Sequence, residues 1–180
     1  MIIKKPEFVE FSKGGYSVIF CDSEYRYAYK LYKSFEHRDE NFLDLGKKVD
    51  VNAFLKEVFE TEKKAYESVQ LSELLKKYTS TFYGTIVIEK VLDDKDNDIS
   101  NQFLLDCCLK MEFIKGDNIK LDNFQSNPIF EDKIRCLKTE FINHKINYLI
   151  DAQVITNGQN FVILDFQTEN SMDIWDRKYL

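Results

Sequence analysis

Near the N-terminus, apolar and polar positions alternate in short runs, and a period of two predicts strands. Phe8 to Phe11, Val18 to Cys21 and Tyr25 to Tyr32 carry these runs. The small and polar stretches Ser12-Lys13-Gly14-Gly15-Tyr16-Ser17 and Asp22-Ser23-Glu24 read as the turns between them. In the third run the alternation sets Ala28, Lys30 and Tyr32 on one face and Tyr27, Tyr29 and Leu31 on the other. A lysine in so aromatic a strand either faces solvent or is held inward for an anion. Residues 34–50 are charged and read as a surface loop with a helical turn.

From residue 52 to 77 the period becomes that of a helix. Phe54, Leu55, Val58, Phe59, Ala65, Tyr66 and Val69 recur at its spacing, with Leu74 further on. Glu62 falls in the row Val58, Glu62, Tyr66, so a carboxylate stands on or beside the buried stripe. An unpaired charge there costs several kcal/mol, so Glu62 needs a cation, and Lys30 is the candidate. Phe82 to Leu92 and Phe103 to Ile114 read as two further strands, joined through Asp93-Asp94-Lys95-Asp96-Asn97-Asp98. Pro128 is expected to open the next helix at N1 with Asn127 as its N-cap. Phe130, Ile134, Leu137 and Phe141 give that helix its apolar stripe. Residues 146–151 read as a strand leading into a hairpin. Val154-Ile155 and Phe161 to Leu164 are its arms, and Thr156-Asn157-Gly158-Gln159 is its turn, because Asn-Gly accepts positive φ at both central positions. Asp165 stands where the second arm ends, either a strand-end cap or a metal ligand. One short helix closes the chain, with Trp175 and Tyr179 placed to dock it. This order of elements is that of an α+β protein.

Composition narrows the function more than the fold. The chain has 180 residues, 44% of them hydrophobic, enough for one domain or two small lobes sharing a core. It lacks a long apolar run, so no membrane span is expected, and MIIKKPEFVEF lacks the apolar stretch of a signal peptide. Net charge is −6 and the basic residues are dispersed, which argues against nucleic acid as a partner. The four cysteines form no CxxC pair and there are two histidines, a poor set for zinc. Cys107 and Cys108 lie in an apolar run and read as buried free thiols. The acidic stretch 93–98 lacks the EF-hand ligand spacing and reads as a solvated hairpin tip. Gly14-Gly15 is either a plain turn or a place where backbone N–H groups approach a phosphate.

Taken in order, these residues resemble a protein kinase in a small, atypical form, over about residues 8–168. Ser12-Lys13-Gly14-Gly15-Tyr16-Ser17-Val18-Ile19 resembles the glycine-rich loop, and Tyr27-Ala28-Tyr29-Lys30 falls where that family has V-A-I-K. Glu62 resembles the helix glutamate, Met111-Glu112-Phe113-Ile114 the gatekeeper and hinge, and Asp165-Phe166-Gln167 the D-F-G segment. The resemblance implies a kinase-like N-lobe over 1–115, an antiparallel sheet with a long helix, and a strongly truncated C-lobe over 116–180. It implies ATP and magnesium as cofactors. Gly14 and Gly15 would cover phosphates, Lys30 would neutralise them and Glu62 would hold Lys30. Glu112 and Phe113 would hold adenine, and Asp165 would bind the metal. Asp151 falls at the place of the catalytic base. Leu149-Ile150 replaces the family's His-Arg, and Thr156 stands where its asparagine is expected, with Asn157 and Asn160 nearby.

Two function classes follow from the resemblance. One is a minimal kinase, similar to small bacterial effector kinases, that transfers phosphate to a protein hydroxyl with an impaired catalytic loop. The other is an inactive pseudokinase that grips a protein partner, for example an immunity protein neutralising a basic toxin. Either implies a protein partner and a cytoplasmic location, or a host cytoplasm for an effector.

Overall fold

The computed structural model describes residues 1–35, 50–124, 128–156 and 160–179. In chain order the strands and helices begin β1 (Ile2–Ile3), β2 (Phe8–Lys13), β3 (Ser17–Asp22), β4 (Tyr27–Lys33), α1 (Val51–Val69), β5 (Phe82–Ile86), β6 (Lys90–Val91) and β7 (Phe103–Glu112). They continue with β8 (Asp117–Lys120), α2 (Leu121–Phe124), α3 (Glu131–Asn143), β9 (Gln153–Thr156), β10 (Phe161–Leu164) and α4 (Ser171–Tyr179). The protein is therefore mixed α+β, with antiparallel strand pairs. It divides into two compact units: Met1–Phe59 with Tyr83–Phe113 and Trp175–Leu180, and Glu60–Phe82 with Ile114–Ile174.

The first unit is built on a sheet of order β2-β3-β4-β7-β5. Register decides what each face carries. Phe20 pairs with Tyr29 and Val18 with Leu31, so these four share a face with Phe8. There β1, paired in parallel with β6, adds Ile3 and Val91 to the same apolar cluster. Ala28, Lys30 and Tyr32 take the other face, where the Tyr32 ring meets Phe59 of α1 edge-on at 5.6 Å. Both faces of β4 are covered, which is why its sequence is apolar nearly throughout. Cys107 and Cys108 are buried free thiols in β7, as their apolar setting predicts. Burial pushes the Cys108 thiol up to about 12 and the Cys21 thiol to about 11, so both stay protonated. Trp175 of α4 sits edge-on to Phe54 at 5.2 Å, and Arg177 and Lys178 bind Glu57.

The second unit carries the sheet β10-β9-β8, antiparallel throughout. The expected hairpin forms, with Phe161 opposite Thr156 and Leu164 opposite Gln153. Its Asn157-Gly158 turn lies outside the described residues. Gly116 leads into β8, and a Cβ there would meet Ile155 Cγ2 and Thr156 O at 2.7 Å each, so glycine is required by close approach. Phe82, Tyr66, Phe166 and Phe141 form an aromatic column, with successive ring centroids 5.5, 4.6 and 5.0 Å apart.

Four element expectations are corrected. The helix read to residue 77 ends at Val69. Gln70, Leu71 and Ser72 donate N–H groups to Glu67, Ser68 and Val69, tightening the last turn, and Ser72 Oγ accepts from Leu75 N at 3.2 Å. Leu75–Lys77 is a separate 3-10 turn. The strand read over 82–92 breaks after Ile86 because Lys90–Val91 pairs with β1 instead. α3 opens at Glu131 rather than at Pro128, which lies in the preceding turn, a position proline also favours. Asn127 lies outside the described residues. Residues 146–151 form no strand. Lys145 has φ 60, which turns the chain, and Tyr148 makes only an isolated bridge to Gln167. The loop expected at 34–50 falls mostly outside the described residues.

Candidate functional site

In the second unit, β10 delivers Asp165 at its C-terminal end. The backbone there has φ 57, a left-handed conformation that aspartate tolerates better than most residues. The two residues that follow hold it. Phe166 is fully buried between the Tyr66 and Phe141 rings, and Gln167 exchanges two backbone hydrogen bonds with Tyr148, each 3.1 Å. Asp165 itself is half-buried. α1 contributes Glu62 and Tyr66, one turn apart and both 0% exposed. The Tyr66 phenol is held well above its usual value, first by burial and then by the negative charges of Glu62 and Asp165. Tyr66 is thus an electrostatic neighbour of both Glu62 and Asp165. Tyr66 Oη lies beside the Asp165 backbone but meets hydrogen-bond geometry with no partner among the described residues.

Asp151 is exposed in a turn before β9 and accepts a 2.7 Å hydrogen bond from Tyr148 Oη. Thr156 Oγ1 donates to Asn160 O at 2.9 Å, closing the base of the hairpin. Asn157 lies outside the described residues.

In the first unit, Lys30 is half-buried in the middle of β4, laterally between Ile19 of β3 and Leu109 of β7. Gly14 and Gly15 form the β2–β3 turn, closed by Gly14 N donating to Ser17 O at 2.9 Å. Neither has a positive φ, and a Cβ at Gly15 would meet nothing within 4 Å. The lysine bonded to this turn is Lys33, whose Nζ donates to Gly14 O at 2.7 Å. Glu112 ends β7 opposite Tyr27. Phe113 follows, its N–H on Arg26 O at 2.9 Å and its ring between Phe11 at 5.0 Å and Tyr25 at 5.4 Å.

No family model, curated protein or solved structure matches the chain.

The candidate site rests on its own residues. Among the described residues no group of three or more His, Cys, Asp and Glu side chains is arranged to hold a metal. Magnesium usually keeps several waters and takes one or two carboxylates plus substrate phosphates, so Asp165 as a single carboxylate is compatible with its demands. No helix among the described residues is long and apolar enough to cross a membrane. The structure places Glu62 and Asp165 each beside Tyr66. It ties Asp151 to Tyr148 and Lys33 to the glycine turn. Tyr66 was visible in sequence only as part of the apolar stripe, one turn after Glu62. Its place beside Asp165 depends on contacts made about 100 residues away in sequence, which helical periodicity does not report.

Proposed function

We propose that the chain is a minimal protein-kinase-like protein that binds ATP with magnesium and transfers phosphate to a protein hydroxyl through an impaired catalytic loop. The observation that carries this reading is Asp165. It is a carboxylate held at a strand end in left-handed backbone, beside the buried Tyr66 hydroxyl, which Glu62 also neighbours. Backbone strain of this kind costs on the order of 1–3 kcal/mol and persists where the surroundings over-determine it, often at functional sites. Asp165 is assigned to the metal, Lys30 to the α and β phosphates, and Asp151 to the substrate hydroxyl. When bound, magnesium would supply neutralisation of the phosphate charge. Asp151 orients and accepts a proton at Oδ1, while its Oδ2 is fixed by Tyr148. Without the family's asparagine, a bound metal would have fewer protein ligands than in ordinary kinases, and the reading assigns the impairment to that.

The test is incorporation of labelled phosphate from ATP into the chain or a generic protein acceptor, with magnesium and with manganese. The reading expects slow incorporation that Asp165→Ala abolishes. Absence of incorporation with both metals would remove phosphoryl transfer from the proposal.

A second reading, a protein-binding pseudokinase, is favoured by one observation. Phe11 and Tyr25, 57% and 49% exposed, flank Phe113 as an aromatic cluster on the first unit. Exposed aromatic clusters serve protein recognition. A stoichiometric complex that survives Lys30→Ala and is lost in Phe11→Ala would support it.

A further inference from the structure

A cavity of about 890 Å³ opens on the first unit, on the sheet face opposite Lys30. Its size is within the roughly 300–1,000 Å³ of small-molecule pockets. The floor is apolar and aromatic: Phe8, Phe20 and Phe103, with the Phe20 and Phe103 rings 5.9 Å apart. The rim carries charges of both signs, Lys5, Lys13, Lys33 and Lys95 with Glu10, Asp93 and Asp94, and most of them are already engaged. Lys5 is paired with Asp94 at 2.7 Å and Lys13 with Glu10 at 3.2 Å. The Asp93 carboxylate is engaged by the N–H of Lys95 and by the N–H and side-chain amide of Asn97, at 2.8 to 2.9 Å. Lys33 differs from these. It is fixed on β4 opposite Phe103, lines the cavity, and donates to Gly14 O, a neutral carbonyl. An ammonium has three donors, so Lys33 retains capacity for an anion. Lys95 lines the same rim. Gly14 and Gly15 carry no side chain that would close the mouth above Lys33.

We infer that this cavity is a binding site for a small amphipathic anion, a flat apolar body ending in one phosphate. The rings of Phe20 and Phe103 take the body, and Lys33, assisted by Lys95, takes the oxyanion. The site uses neither Lys30 nor Asp165, but it shares the Gly14-Gly15 turn that the kinase resemblance assigns to the ATP phosphates.

The experiment is an amide NMR titration of the full chain with 1-naphthyl phosphate, with 1-naphthol and inorganic phosphate as separate arms. Saturable shifts are expected at Gly14, Gly15, Lys33 and Phe103. Each of Lys33→Met and Lys95→Met should weaken binding roughly fivefold, the scale of one charge-assisted contact near a surface. Naphthol and inorganic phosphate should each bind at least about fivefold more weakly on the same scale. Lys95 lies in a turn, so its variant keeps the test meaningful where Lys33→Met disturbs the β2–β3 turn. Non-saturable shifts, shifts confined to other residues, unchanged affinity in both variants, or naphthol binding as tightly as its phosphate would each overturn the inference.

Discussion

At the residue scale, Tyr66 and Asp165 make opposite demands on the fold. Tyr66 places a hydroxyl where it has no partner among the described residues, beside two carboxylates. A buried, unsatisfied polar group costs about 1–3 kcal/mol. Tyr66→Phe removes the hydroxyl and keeps the ring that stacks on Phe82 and Phe166. It is expected to raise unfolding free energy by about 1 kcal/mol in urea melts. A loss of that size would show that the hydroxyl is bonded after all. Glu62 was legible in sequence, because its place in the apolar row forces burial, and it is 0% exposed. Asp165 was legible as the residue where a strand runs out. Its left-handed backbone was not, since no glycine or asparagine marks the position.

At the element scale, register is what the sequence determined best. The period of two in β4 separated Lys30 from Tyr29 and Leu31, and the pairing with β3 keeps that separation. It did not foretell that Lys33 would bind the glycine turn. That contact depends on the β2–β3 turn lying beside the end of β4, where Lys33 N also donates to Tyr16 O at 2.9 Å. Helix ends were read less well. Leu74 continued the apolar spacing of α1, yet Ser72 turns the chain and a separate 3-10 turn buries Leu75. Proline marked a turn rather than a helix start, because both positions suit its fixed φ.

The helix α4 carries a prediction of its own. Glu57 is held below the usual carboxylate range, chiefly by hydrogen bonds from Lys178 and then Arg177. A carboxyl whose folded value is depressed stabilises the fold above its unfolded value of roughly 4.3, and that contribution is lost as pH falls through the folded value. Acid should therefore loosen α4. Trp175 is the single tryptophan and its ring sits on Phe54, so its fluorescence reports the change. An emission shift is expected as pH falls below the ordinary glutamate value of roughly 4.3 and through the lower folded value. Glu57→Gln should show part of that shift already at pH 7. Identical pH profiles for the two proteins would show that the Glu57 clamp does not hold α4.

At the scale of the whole molecule, alternation and helical period were enough to predict an α+β protein, and the antiparallel sheet was expected from the kinase resemblance. They did not foretell the parallel pairing of β1 with β6, which joins residues almost 90 positions apart. Nor did they give β8, whose short run Asp117–Lys120 has one half-buried residue and little apolar signal. The function proposed for the chain rests on Asp165 as a metal-dependent phosphate-binding residue. The most direct test is thermal unfolding with ATP and magnesium, comparing the native chain with Asp165→Asn, which also tolerates left-handed backbone. At 100 times the dissociation constant the native chain should gain about 2.7 kcal/mol. Asp165→Asn should fold normally and gain far less. An absent shift in the native chain, or an equal shift in both proteins, would contradict the account.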